Sequence, residues 1–133
     1  MANVIKLRKG LDINLKGIAA KELVSVKEPG IYSLVPDDFT GVKPKVVVKE
    51  GENVLAGGPL FVDKNHPEVK FVSPVSGVVT SVERGERRKV LNIIVKADEN
   101  QQYVEFGKMN LAELNAEQVK EALMNAGLFA FFR

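Results

Sequence analysis

The stretch that decides the fold covers residues 46–82 and reads VVVKEGENVLAGGPLFVDKNHPEVKFVSPVSGVVTSV. Short runs of β-branched and other apolar residues alternate in it with polar corners that contain glycine or proline. Branching at Cβ restricts the side-chain rotamers and favours extended backbone on a pleated surface. The corners end each run after roughly three to five residues, which predicts a small, tightly wound β structure.

The corners of this stretch separate three predicted strands, at residues 46–48, 60–62 and 69–72. Gly51 stands in the first corner, where a turn favours a residue that can take positive φ. Residues 63–67 form a second polar turn, ending in His66 and Pro67. Gly77 is predicted to allow a close approach of two backbones before the next run of valines.

Outside this stretch, alternation of apolar and polar residues predicts further strands. Their positions are residues 5–15 (one or two strands, with Gly10 as a bulge or turn), 23–26, 31–35, 78–82 and 90–95. Residues 103–106 are predicted to be a short strand or an extended segment. Residues 16–20 are predicted to be loop, and residues 84–89 connect the two strands of a predicted hairpin. The chain is therefore expected to be mainly β.

Near its end the chain changes to a helical pattern. Asn115 is the predicted N-cap, and Gln118 three residues later completes a capping-box pattern. An apolar stripe follows at helical spacing, made of Val119, Ala122, Leu123 and Ala126. Gly127 suits the position that ends a helix. The pattern predicts an amphipathic helix of about three turns, with the stripe used for packing rather than for a cofactor.

Composition excludes several classes of protein. The chain has 133 residues, 45% of them hydrophobic, which is enough to bury the core of one domain or of a domain with an appendage. The net charge of +2 makes no case for nucleic acid or for an anionic membrane. The absence of cysteine excludes disulfides, thiolate-bound zinc and a thiol nucleophile. The N-terminal sequence has no secretory pattern and no apolar run spans a bilayer, so membrane contact is expected only through partners.

Few side chains in the sequence suggest chemistry. Asp37 and Asp38 invite a paired-carboxylate interpretation, but a Pro-Asp-Asp turn with solvated side chains is the simpler one. His66 is the only histidine and is interpreted as a turn residue. The segment at residues 57–59 lacks the pattern of a phosphate-binding loop. The cluster at residues 84–89 has two interpretations. It is either a basic patch that binds a partner or the anionic tail of a cofactor, or it is a solvated loop of mixed charge.

The glycine-rich stretch resembles the biotinyl/lipoyl-like barrel-sandwich hybrid module. Residues 51–60 fit its G-[DE]-x-V-x-x-G-x-x-L unit, and residues 73–79 fit its S-P-x-x-G-x-V unit. Carrier members hold a modified lysine on the hairpin tip between these units. Lys64 is the best-placed candidate, but the following Asn-His-Pro departs from the carrier context. The resemblance therefore implies the fold without the swinging arm, and lipoyl or biotin on Lys64 would reverse that conclusion.

A closer resemblance covers nearly the whole chain and concerns the N-terminal part of the A subunit of the sodium-translocating NADH:quinone oxidoreductase. The matching segments are residues 5–12, 48–52, 60–64, 73–79, 84–88 and 125–128. The C subunit of the Rnf-type electron-transport complex looks similar in its opening module and is the nearest alternative. The implied fold is a mainly β (α+β) barrel-sandwich hybrid domain at residues 1–107, followed by a helical segment at residues 108–133 that leads into a downstream domain.

This resemblance implies a peripheral subunit on the cytoplasmic side of the bacterial inner membrane. Its complex oxidises NADH, reduces a quinone such as ubiquinone, and transports sodium ions. The implied partners are the other subunits, which hold the flavins and iron–sulfur centres, and possible quinone contact is a family-level implication. No catalytic, cofactor-binding or metal-binding residue is assigned to this chain, which is expected to have no activity alone.

The apolar end of the chain allows three interpretations. Phe129, Phe131 and Phe132 could fold back onto the helix and sheet, form a surface for a partner or quinone, or pack against residues of a longer protein. We expect the third, because the family continues beyond this point.

Overall fold

The computed structural model describes residues 16–132. These residues contain two antiparallel sheets and one α-helix. The strands are β1 (Ile31–Leu34), β2 (Pro44–Val46), β3 (Asn53–Val54), β4 (Pro59–Asp63), β5 (Lys70–Val72), β6 (Gly77–Arg84) and β7 (Val90–Ala97), and the helix is α1 (Ala116–Asn125). The strands predicted at residues 5–15 lie outside the described residues. The mainly β prediction with a C-terminal helix is confirmed.

The larger sheet has the strand order β1-β7-β6-β3, and the smaller has the order β2-β4-β5. The predicted hairpin is confirmed as β6 and β7, which pair from Gly77 opposite Ala97 to Arg84 opposite Val90. At Gly77 an added Cβ would lie 1.9 Å from the backbone oxygen of Lys96. The predicted close approach of two backbones is therefore real, and only glycine fits there.

The core is formed by side chains from both sheets. Its fully buried members include Leu60, Phe61, Val79, Ile93 and Val95. The ring of Phe61 stacks on that of Phe71, with centroids 4.4 Å apart and an interplanar angle of 8°. Phe39 closes this stack from the side, with its ring centroid 4.6 Å from that of Phe71 in an edge-on geometry.

The corner at Gly51 joins the turn before β3 to strand β6. Gly51 has a φ of 83°, as predicted, and its N–H donates to the Val79 oxygen at 2.8 Å. In return, the Val79 N–H donates to the Glu52 oxygen at 2.9 Å. This reciprocal pair of hydrogen bonds fixes the corner against strand β6.

A buried serine ties the segment after β7 to the sheet. The N–H of Gln102 donates to the Ser76 hydroxyl at 2.8 Å, and the N–H of Ser76 donates to Oε1 of Gln101 at 2.7 Å. The next residue, Tyr103, forms a single parallel bridge with Ala56. Of the two alternatives predicted for residues 103–106, the short strand is therefore absent beyond this one bridge, because only Ala56 offers a backbone partner among the described residues.

The strand predicted at residues 23–26 is also wrong. These residues have no regular secondary structure, and Leu23 and Val26 are 106% and 81% exposed. β-Branched residues favour extended backbone, but a strand also needs a neighbouring strand to accept its hydrogen bonds. None of the strands in residues 16–132 pairs with this segment.

The helical prediction is confirmed at both ends of α1. Asn115 accepts from the Gln118 N–H at 2.9 Å and donates its own N–H to the Gln118 side chain at 3.0 Å, which is a complete capping box. Gly127 ends the helix with a φ of 70°. It lies directly against Val72, since an added Cβ would be 2.5 Å from a Val72 methyl group.

Candidate functional site

The turn that carries Lys64 connects β4 to β5 and is held by a buried carboxylate. Asp63 is 8% exposed, and its Oδ1 accepts from the N–H groups of Lys43 at 3.2 Å and Asn65 at 3.1 Å. The N–H of Lys64 donates to the Lys43 oxygen at 2.8 Å. The Lys64 side chain is exposed, while the backbone that carries it is fixed to the start of β2.

Replacing Asp63 by alanine is expected to lower the free energy of unfolding by about 1–3 kcal/mol, because two N–H groups lose their acceptor in a partly buried site. Asp63→Asn keeps an oxygen at the same position and should lose less than half as much. Urea unfolding of the chain, followed by circular dichroism, measures both values. Equal losses in the two variants would show that the turn does not depend on this acceptor.

His66 lies in the same turn and is solvent-exposed, as the sequence predicts for a turn residue. Its Nδ1 is 3.6 Å from a carboxylate oxygen of Glu68, and both side chains are more than half exposed. Residues 16–132 contain no group of three or more metal-ligating side chains of the kind that holds an ion. Lys64 and His66 are therefore both exposed to solvent in this turn, and His66 is not part of a group of metal-ligating side chains in the described residues.

Asp37 and Asp38 are in a 3-10 turn (Pro36–Asp38) at the end of β1, which confirms the turn interpretation. Asp37 accepts from Nζ of Lys89 at 2.5 Å, and both side chains are more than half exposed. The carboxylate thus faces a lysine of the β6–β7 hairpin rather than the neighbouring Asp38. An exposed ion pair of this kind contributes little to stability.

The tip of the β6–β7 hairpin has an unusual backbone. The N–H of Lys89 donates to the Glu86 oxygen at 3.1 Å, and the two residues between them, Arg87 and Arg88, have φ values of 52° and 62°. These features define a turn of type I′. The sequence indicated a loop of mixed charge here but not this conformation, because type I′ turns favour Asn-Gly rather than Arg-Arg.

The aromatic tail folds back onto the sheets in part. Ala130 packs against the core, and the ring centroid of Phe131 lies 5.9 Å from that of Phe39. Phe131 and Phe132 are nevertheless 69% and 64% exposed. The tail therefore contacts the domain and also presents apolar surface, and the expectation that it packs against residues of a longer protein stays a prediction.

The apolar stripe of α1 lines an open groove that the sequence did not predict. The groove has a volume of about 420 Å³, and the rest of its lining is Phe106, Gly107, Met109, Leu114 and Leu128. No residue of α1 is buried. All four residues of the stripe therefore face this groove. None of the helices described in residues 16–132 has the length and apolar character needed to cross a membrane.

Comparison with known proteins gives the same fold and places the chain in a family. Residues 5–98 match the model of the NqrA N-terminal barrel-sandwich hybrid domain. The chain is 37% identical over 132 residues to the A subunit of the Na(+)-translocating NADH-quinone reductase of Hahella chejuensis, covering 98% of this chain and 30% of that protein. The same-named protein of Serratia proteamaculans is 35% identical over 134 residues, covering 98% of this chain and 30% of that protein.

A third relative, the same-named protein of Actinobacillus pleuropneumoniae serotype 5b, is 33% identical over 132 residues, covering 98% of this chain. The chain spans 29% to 30% of the length of these relatives. All three are A subunits, which does not favour the alternative of an Rnf-type C subunit. The family match and the identities along nearly the whole chain show that this protein belongs to the NqrA N-terminal barrel-sandwich hybrid family.

Proposed function

We propose that the chain is the N-terminal module of the A subunit of a sodium-translocating NADH:quinone oxidoreductase, with a structural and docking role. The observation that carries this proposal is the similarity along 98% of the chain to proteins that bear this name. The two sheets supply a folded body for docking, with the stacked rings of Phe61 and Phe71 in its core.

The arrangement of the titratable side chains supports docking rather than catalysis by this module. Lys64 and His66 are exposed in one turn, and Asp37 pairs with Lys89 at the end of another element. A catalytic acid, base or nucleophile acts through a partner within hydrogen-bond distance and a place for substrate beside it. In the described residues, His66 instead contacts Glu68 and Asp37 contacts Lys89, each in an exposed ion pair.

The cofactors and partners of the proposed complex belong to its other parts. NADH, flavins, iron–sulfur centres and quinone act at the level of the complex, and the partners of this module are the neighbouring subunits. The exposed rings of Phe131 and Phe132 suit the packing of further protein better than the binding of quinone, because the segment that carries them is already folded against Phe39. We place the module on the cytoplasmic side of the inner membrane, with membrane contact only through its partners.

The proposed division of the chain lies at residue 107. The family match ends at residue 98, and the last backbone hydrogen bond between the following segment and the β-rich part, among the described residues, runs from the Val104 N–H to the Ala56 oxygen at 2.9 Å. Residues 108–133, with helix α1, would then form the connection to a downstream domain.

The test uses the full-length parent protein, tagged and expressed in its host. Membranes are solubilised gently, the tagged protein is captured, and the eluate is assayed for NADH-driven quinone reduction with and without sodium. We expect co-purified membrane subunits and sodium-stimulated activity. An eluate with an intact assembly but without this activity would refute the proposal.

A variant of the same protein tests the carrier alternative. Lys64→Arg keeps the positive charge but cannot receive lipoyl or biotin, so we expect sodium-stimulated activity equal to that of the unchanged protein. Loss of activity together with an added lipoyl or biotinyl mass on unchanged Lys64 would show a swinging-arm function instead.

A further inference from the structure

We propose that the tip of the β6–β7 hairpin is a docking site for a carboxylate-bearing surface of a partner protein. The site consists of the side chains of Arg84, Arg87 and Arg88, which are here called the basic tip. This inference rests on the proposed function, because it names the surface through which the module contacts another protein of the complex. Three independent features of the hairpin lead to it.

The first feature is a conflict between the turn and its residues. Arg87 and Arg88 both take the left-handed backbone conformation, which is unfavourable for residues with a Cβ and is commonly filled by Asn-Gly in this turn. Strained backbone of this kind is concentrated at functional sites, where the side chain matters more than the fit of the turn. Two arginines at these positions therefore indicate that their guanidinium groups are needed.

The second feature is that the three arginines lack the side-chain partners that other charged residues of the hairpin have. Lys89 binds Asp37, and Oε2 of Glu83 accepts from Nδ2 of Asn92 at 2.9 Å. In residues 16–132, by contrast, none of the three arginines of the basic tip makes an ion pair or a side-chain hydrogen bond. All three are exposed, so their donors are available to carboxylates of a partner.

The third feature is that the hairpin projects beyond its neighbours. β1 pairs with β7 only as far as Leu34 opposite Ile93, and β3 pairs with β6 only as far as Asn53 opposite Val78. Among the described strands, the last residues of β6 and the first residues of β7 therefore pair only with each other. Leu91, on this part of the ribbon, is 42% exposed and lies against Gly85, which gives the basic tip an apolar neighbour. Arginine beside apolar surface is a common composition of protein interfaces.

The carboxylates near the basic tip favour a protein partner over a lipid surface. Glu86 stands within the turn itself, and Asp38 lies on the 3-10 turn whose Asp37 binds Lys89. An anionic bilayer would repel both, whereas a protein surface can place its own charges to match a mixed pattern. The partner surface is therefore expected to present carboxylates opposite the three arginines.

The experiment uses the full-length parent protein in its host and the same capture assay. Arg87→Gln/Arg88→Gln removes both charges, and Arg87→Asn/Arg88→Gly removes them while also giving the turn its preferred residues. Lys45→Gln/Lys96→Gln is the matched control, since it removes two exposed charges from β2 and β7. The amount of partner protein retained is measured at increasing salt concentration.

We expect both tip variants to retain about tenfold less partner protein at physiological salt than the unchanged protein, and the control to retain the same amount. The isolated Arg87→Asn/Arg88→Gly variant should melt at or above the temperature of the unchanged protein, which shows that the loss is not caused by unfolding. Equal retention in all variants at every salt concentration would overturn the inference while leaving the proposed function intact.

Two further outcomes would also count against it. Binding of the unchanged protein to anionic lipid vesicles without partners, reduced equally by the tip variants, would assign the basic tip to a membrane surface and overturn the protein-docking inference. Failure of the unchanged protein to retain partners or to show NADH-driven quinone reduction would refute the proposed function together with the inference built on it.

Discussion

Replacing Gly77 by alanine is expected to lower the free energy of unfolding by about 3 kcal/mol or more, because overpacking against fixed backbone cannot be relieved by a rotamer change. The added Cβ would lie 1.9 Å from the backbone oxygen of Lys96 and 3.1 Å from Cα of Ala97. Relief requires β6 and β7 to separate at the end of their hairpin. Urea unfolding of the chain, followed by circular dichroism, measures the loss.

Gly30→Ala is the matched control for this prediction. Gly30 directly precedes β1, and nothing within 4 Å would contact its added Cβ. The expected change is within about 0.5 kcal/mol, as for other surface substitutions. Equal stability of the Gly77→Ala variant and the unchanged chain would show that β6 and β7 do not approach each other within contact distance at Gly77.

Replacing Phe61 by alanine is expected to cost about 3–5 kcal/mol, since a fully buried ring is removed and its cavity cannot be refilled. Phe61 is 0% exposed, stacks on Phe71, and meets the edge of Phe39 at a centroid distance of 6.1 Å. The loss should appear in the urea midpoint and in the near-ultraviolet circular dichroism of the aromatic cluster.

Phe132→Ala serves as the control, because this ring is 64% exposed and its ring partner is Phe129 at 6.1 Å. Its expected cost is below about 1 kcal/mol. If the two substitutions had the same cost, the aromatic stack of Phe61 and Phe71 could not be the centre of the core.

The elements that local chemistry determines could be predicted from the sequence. The valine runs that became β6 and β7 alternate correctly for a hairpin, and Asn115 with Gln118 specifies the start of α1 through its own hydrogen bonds. Residues 23–26 have an equally good strand composition but no strand beside them in the described part of the chain. A preference for extended backbone does not reveal whether a pairing partner exists.

The parts of the candidate site that depend on distant residues could not be predicted. The contact of Phe131 with Phe39 joins residues far apart in the sequence, and the ion pair of Lys89 with Asp37 does the same. The left-handed conformation of Arg87 and Arg88 goes against the preference of arginine, so only the structure could show it. The sequence shows that this loop is charged. It does not show that two of the charged residues have an unfavourable backbone conformation.

The strand order has a consequence for behaviour at high concentration. Exposed strand edges are templates for pairing between molecules, which leads to aggregation. Among the described strands, the edge positions fall to β1, with four residues, and to β2, β3 and β5, with three residues or fewer each. β2 also begins with Pro44, which has no N–H to donate, followed by the exposed Lys45. These four edges are therefore too short to template pairing with a second copy, so edge-to-edge association through them is not expected.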